Sequence, residues 1–100
     1  MHIILLKFTD NRHNAAQHLP GHKAWLARGL EDGMFLMAGN LGSNLGGAIL
    51  AHDTSLAAIQ GRVSEDPFVR ENVVTAEVLE FSPSVANKDF QFILKQQGGE

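Results

Sequence analysis

Three short segments of the chain are apolar on both of the faces that a β-strand presents. In residues 2–8, Ile4, Leu6 and Phe8 fall on one face, and Ile3 and Leu5 on the other. Met34-Phe35-Leu36-Met37-Ala38 is an unbroken apolar run, and Gly47 to His52 makes another. Runs of this kind mark strands that are covered on both sides. A large exposed apolar surface is costly, so any sheet built from these segments needs a cover on each face.

The segments between them supply one cover. Thr9-Asp10-Asn11 stops the first strand, and residues 9–18 are polar and read as a loop. Residues 19–32 predict a helix, with Pro20 in its first turn, where a missing N–H costs nothing. Leu19, His22, Trp25, Leu26, Gly29 and Leu30 make one stripe at helical spacing, and Gly33 is a stop signal. Gly39 to Gly46 reads as the turn-rich loop of a hairpin. Thr54 can cap a second helix to about Val63, with Leu56, Ile59 and Val63 as its stripe. Asp66-Pro67 opens a short helical turn, and residues 73–81 form the last strand.

The order is β-α-β-β-α-β, the ferredoxin-like α+β arrangement: a four-stranded antiparallel sheet with two helices on one face. Two helices leave the other face bare. The tail, residues 83–100, is too polar to cover it, so a second copy of the chain is the economical cover. A homodimer with its sheets facing one another is therefore expected, with the domain at residues 1–82 and an extension at 83–100. In that extension Phe90, Phe92 and Leu94 alternate with Gln91, Ile93 and Lys95, which predicts a short edge strand followed by a loose end at Gly98, Gly99 and Glu100.

Composition narrows the function. At 100 residues the chain is one domain, and 44% hydrophobic with 19% charged residues argues against wholesale disorder. The net charge is −3 and the eight Lys and Arg are scattered, so the footprint of a nucleic-acid binder is missing. No segment reads as a signal peptide, membrane anchor or membrane span, and a cytoplasmic protein is the simplest reading. The lack of cysteine excludes disulfides, thiolate catalysis and Cys-based zinc sites.

Few residues could carry chemistry. His22 sits on the apolar stripe of the first helix. An imidazole there is either a satisfied core or interface histidine, or, with a carboxylate partner, a ready general base or acid. Asp66 before Pro67 is a good N-cap, and capping alone would account for it. His13, His18 and His22 raise the question of a metal, but no Glu stands between them and spacing fixes no third ligand, so neither metal nor cofactor is expected. Gly39, Gly42, Gly46 and Gly47 lie between strands, not between a strand and a helix, and do not form a phosphate cradle. Trp25 packs in the core or interface, or lines a pocket wall for a planar ligand.

Taken together, Pro20-Gly21-His22-Lys23-Ala24-Trp25-Leu26, then Gly33-Met34-Phe35-Leu36-Met37-Ala38-Gly39, then Ser64-Glu65-Asp66-Pro67-Phe68 resemble the YciI-like family. That family's pattern is a helical His, a Gly-containing apolar second strand ending Ala-Gly, and an Asp-Pro-Phe/Tyr turn, and the match spans about residues 1–82. The resemblance implies a dimeric ferredoxin-like fold related to the dimeric α/β-barrel proteins. It also implies a site built on His22 and Asp66. In this topology the two side chains can meet near Gly39 and Asn40, and Trp25 and Phe68 are further candidate ligand contacts. One family branch is linked to dehydrochlorination of an aromatic ring-cleavage-pathway substrate. The chain departs from the pattern at Leu19, where many members carry Arg, and at Asn40, where many carry Pro. Arg12 could replace the missing cation from the loop, and Asn40 could donate a hydrogen bond to a ligand.

Two functions of different class follow. One is an enzyme in which His22 moves a proton and Asp66 orients its ring, with elimination or isomerisation of an unidentified small molecule as the chemistry. The other is a non-catalytic dimeric module that binds a metabolite or a protein. A His22 ring that opens into a cavity favours the first, and a sealed ring favours the second.

Overall fold

The computed structural model describes residues 1–96. Strands β1 (His2–Phe8), β2 (Phe35–Leu41), β3 (Gly46–Ala51) and β4 (Val74–Glu80) form one antiparallel sheet in the order β2-β3-β1-β4. Helices α1 (Ala15–Glu31), α2 (Leu56–Ser64) and α3 (Pro67–Arg70) connect them. This is the ferredoxin-like topology expected from the order of apolar runs.

The core lies between the helices and one sheet face. Ile4 and Leu6 of β1, Ile49 and Ala51 of β3, Phe35 of β2 and Val74 of β4 pack there with Trp25, Ile59, Val63 and Phe68. On the opposite face Ile3, Leu5 and Leu50 are half-buried, and Met37 and Leu79 are 48% and 41% exposed. Within one chain, no described helix covers this apolar side.

Helix α1 begins at Ala15, four residues earlier than its expected start, after a single 3-10 turn at Arg12–Asn14. Ala15, Ala16 and Gln17 are good helix formers and carry it past Pro20, which lies inside the helix rather than in its first turn. The ring forfeits one hydrogen bond, to the Ala16 carbonyl, on a largely exposed stretch, so the loss is local. The helix ends at Glu31 with Asp32 as its C-cap, and Gly33, whose φ of 85° suits glycine, turns the chain away. The cap of α2 is Ser55, not Thr54: its Oγ accepts from the Ala58 N–H at 3.1 Å.

The hairpin loop is shorter than expected. Strand β2 continues through Gly39 and Asn40 to Leu41, because Ser43 and Asn44, both left-handed (φ 57° and 60°), turn the chain tightly. Gly46 (φ 147°) is forced by the return strand, since a Cβ there would collide with the Leu6 carbonyl. The expected edge strand at 89–95 is instead a 3-10 turn (Lys88–Phe90) leading into helix α4 (Gln91–Gln96). Asn87 caps it by accepting from the Asp89 N–H at 3.0 Å. Phe90 and Ile93, three apart, fit a helix as well as the alternation fits a strand, and Ile93 is the buried one. Gly98, Gly99 and Glu100, expected to be loose, lie outside the described residues.

Candidate active site

The N-terminal half of α1 and the turn between α2 and β4 meet because the contact is small. A Cβ on Gly21 would stand 3.0 Å from the Pro67 ring, so glycine lets the two elements close up. The next residue, His22, then faces Asp66. Its Nδ1 lies 2.9 Å from Asp66 Oδ1 although the two are 44 positions apart in sequence. The ring stacks on Phe68, centroids 4.1 Å apart and planes within 6°, and its side chain is 13% exposed.

Asp66 is fully buried and does two jobs with one oxygen. Oδ1 accepts from the Phe68 N–H at 3.0 Å, capping α3, and also faces His22. Oδ2 has no hydrogen-bond partner among the described residues. Because a carboxylate oxygen only accepts, the proton of the neutral imidazole sits on Nδ1. The lone pair is then on Nε2, which makes no hydrogen bond to any described residue and is not sealed from solvent. Both expected roles of Asp66, cap and imidazole partner, are therefore present in one geometry.

His22 opens into a cavity of about 430 Å³ between α1 and the turn-side half of the β2–β3 hairpin. Leu6, Phe8, Leu19, Leu26, Ile49 and Phe68 give it apolar walls, and Gly39, Gly47 and Ala48 give it a low floor. The polar side chains on the wall are His22, Lys23 and Asn40. A cavity of this size, apolar with a few convergent polar groups, suits a small organic ligand.

The other candidates fall into place around it. Gly39, Asn40 and Phe68 line the cavity. Trp25 does not: it is fully buried behind His22, donates its indole N–H to the Arg62 carbonyl at 2.8 Å and meets Phe35 edge-on. Its bulk holds α1 on α2, so it is a core residue. Arg12 does not line the wall either. Its guanidinium donates to the Asn44 carbonyl at 3.1 Å and lies 4.2 Å over the Phe8 ring, tying the turn before α1 to the hairpin tip. Lys23 and Leu19 are wall residues that reasoning on sequence did not assign. The i, i+3, i+4, i+7 spacing of 19, 22, 23 and 26 was the available signal.

His13 and His18 do not join His22, and among the described residues no cluster of three His, Cys, Asp or Glu is placed to hold a metal ion. No described helix is long and apolar enough to cross a membrane. Away from the cavity, Arg62 donates to Asp32 at 2.7 Å, and this bond, helped by the Met34 N–H, holds the Asp32 carboxyl below the usual carboxylate range. Burial pushes the His2 imidazole below its ordinary value. The N-terminal ammonium acts in the same direction, and Glu80 opposes it.

The sequence matches no protein-family model and no curated protein. The fold matches the structure of 5-chloro-2-hydroxyhydroquinone dehydrochlorinase (TftG) from Burkholderia phenoliruptrix AC1100, in complex with 2,5-dihydroxybenzoquinone. The TM-score is 0.66 at 14% identity, covering 84% of this chain and 96% of that one. At that identity the likeness establishes a shared fold.

Proposed function

We propose that the chain is a YciI-like protein that catalyses proton transfer on a small ring-bearing molecule, with His22 as the base or acid and Asp66 as the residue that orients it. The observation that carries this reading is the 2.9 Å contact between His22 Nδ1 and a buried carboxylate oxygen, which leaves Nε2 as the ring nitrogen available to an adjoining cavity. Nε2 takes a proton from the substrate, and the electron pair left behind expels a leaving group or moves a double bond. Asp66 stabilises the imidazolium that forms.

Two things support the ring-shaped substrate. Phe68 offers an aromatic wall, and a protein of the same fold is a dehydrochlorinase whose structure holds a planar hydroxyquinone. The alternative, a non-catalytic module, calls for a sealed imidazole, and an opening beside His22 disfavours it. In this reading the functional unit is residues 1–82, working as a homodimer paired through the uncovered face of Ile3, Leu5, Met37, Leu50 and Leu79, with residues 83–100 as an extension.

The test is a thermal-shift screen of hydroxylated and halogenated quinones and hydroquinones, followed by turnover assays on whatever binds. Wild type should convert at least one of them, and His22→Ala should bind it without converting it. Equal conversion by the two proteins would refute the assignment of His22.

A further inference from the structure

Three of the chain's eight Lys and Arg have described partners. Lys7 faces Glu77 at 4.0 Å, Arg62 holds Asp32, and Arg12 is spent on Asn44 and Phe8. Lys23 is different. It lines the cavity one position after His22 and one helical turn after Leu19, and no described carboxylate lies within ion-pair distance of it. No Asp or Glu lines the cavity, and the one carboxylate behind it, on Asp66, is fully buried and turned to His22 and the Phe68 N–H. The cavity therefore carries a single permanent charge, a positive one, on the solvent-exposed Lys23 beside the polar His22 and Asn40. A low-dielectric cleft lined by one sign of charge concentrates ligands of the opposite sign.

We infer that Lys23 is the specificity-determining residue of this cavity. It holds an ionised oxygen, phenolate or carboxylate, of a small ring compound whose apolar body lies against Leu19, Leu26 and Phe68. This inference rests on the proposed function for the presence of a substrate and adds its charge class. An ammonium is a compact point charge that takes such an oxygen without a fixed fork geometry. Lys23 and His22 line the same cavity, so an oxygen held by Lys23 restricts which ring atom reaches His22.

The test compares 2,5-dihydroxybenzoquinone, a vinylogous acid ionised at pH 7, with 2,5-dimethoxybenzoquinone, which has the same ring and no ionisable oxygen. Calorimetric titration should show wild type preferring the anion. Lys23→Gln should weaken anion binding roughly tenfold, the size of one hydrogen bond to a charged group. Binding of the dimethyl ether should stay unchanged, and Lys23→Arg should restore much of the preference. Rising salt should weaken anion binding to wild type and not to Lys23→Gln. Equal binding of the two probes, indifference to Lys23→Gln, or no binding of either probe would overturn the inference. Failure of the proposed function looks different: charge preference that depends on Lys23, combined with no conversion of any screened ring that His22→Ala removes.

Discussion

Replacing Asp66 by Asn separates orientation of the imidazole from stability of the fold, and the structure sets both magnitudes. Asn keeps an acceptor at Oδ1, so the Phe68 N–H retains its partner at 3.0 Å and the α3 cap survives, Asn and Asp being comparable caps. The contact to His22 loses its charge assistance, a difference of about 1 kcal/mol. An amide nitrogen takes the place of Oδ2, which has no described partner, and a buried orphan donor costs about 1–3 kcal/mol. Against these stands the removal of a fully buried charge, whose desolvation costs several kcal/mol. The terms nearly cancel, so the net change in stability should stay within about 2 kcal/mol. The effect on turnover does not cancel. With no carboxylate to stabilise the imidazolium, kcat should fall by about 10²–10⁴-fold, the usual range for general acid–base catalysis. Urea denaturation at fixed protein concentration measures the first quantity, and turnover of the best ring substrate from the screen measures the second. An Asp66→Asn protein that keeps kcat within about threefold of wild type would refute the role given to Asp66. A large loss of stability with normal activity per folded molecule would make the pair structural.

Three further expectations concern the scaffold. Gly46→Ala places a Cβ against the Leu6 carbonyl at a φ of 147° and should cost more than about 3 kcal/mol, read from the urea midpoint; a change below about 1 kcal/mol would contradict the hairpin geometry. Leu50→Glu puts a charge in the uncovered sheet face and should convert the proposed dimer to monomer by light scattering; a wild-type monomer at micromolar concentration would refute the dimer. His2 has a lowered pKa in the folded state, so the unfolded chain binds its proton more readily, and stability should fall as pH drops below about 6.5, the unfolded value. Above that pH both states are neutral at this residue and it contributes no slope. His2→Leu should remove part of the slope between pH 6.5 and the lowered folded value, and an unchanged profile would contradict the burial argument.

What could be read from the sequence was what repeats along the chain. The doubly apolar segments placed three strands and the face that no helix covers, and Asp66-Pro67 announced its own cap. The errors have separate causes. Pro20 looked like a helix start because proline is common there, but helix-forming residues before it outweighed one lost hydrogen bond. The stretch 89–95 is too short for period 2 to be told from i, i+3 spacing, and the Asn87 cap was the deciding signal. Trp25 reads as a core residue or a pocket wall and Arg12 as a stand-in cation, and the partners that decide their places, the Arg62 carbonyl and the Asn44 carbonyl, lie 37 and 32 positions away. Lys23 stands in the sequence motif next to His22, yet its place on the cavity wall becomes visible only in three dimensions.

The sharing of Asp66 Oδ1 between a backbone amide and the imidazole has a spectroscopic consequence. Any shift of charge between His22 and Asp66 changes the acceptor strength of the atom that the Phe68 amide proton points at. That proton becomes a resonance through which perturbation of the pair by a ligand is read directly from the backbone. Its exchange with deuterium gauges how often the first turn of α3 opens, so one amide reports on both the electrostatics of the site and the integrity of the turn that holds it.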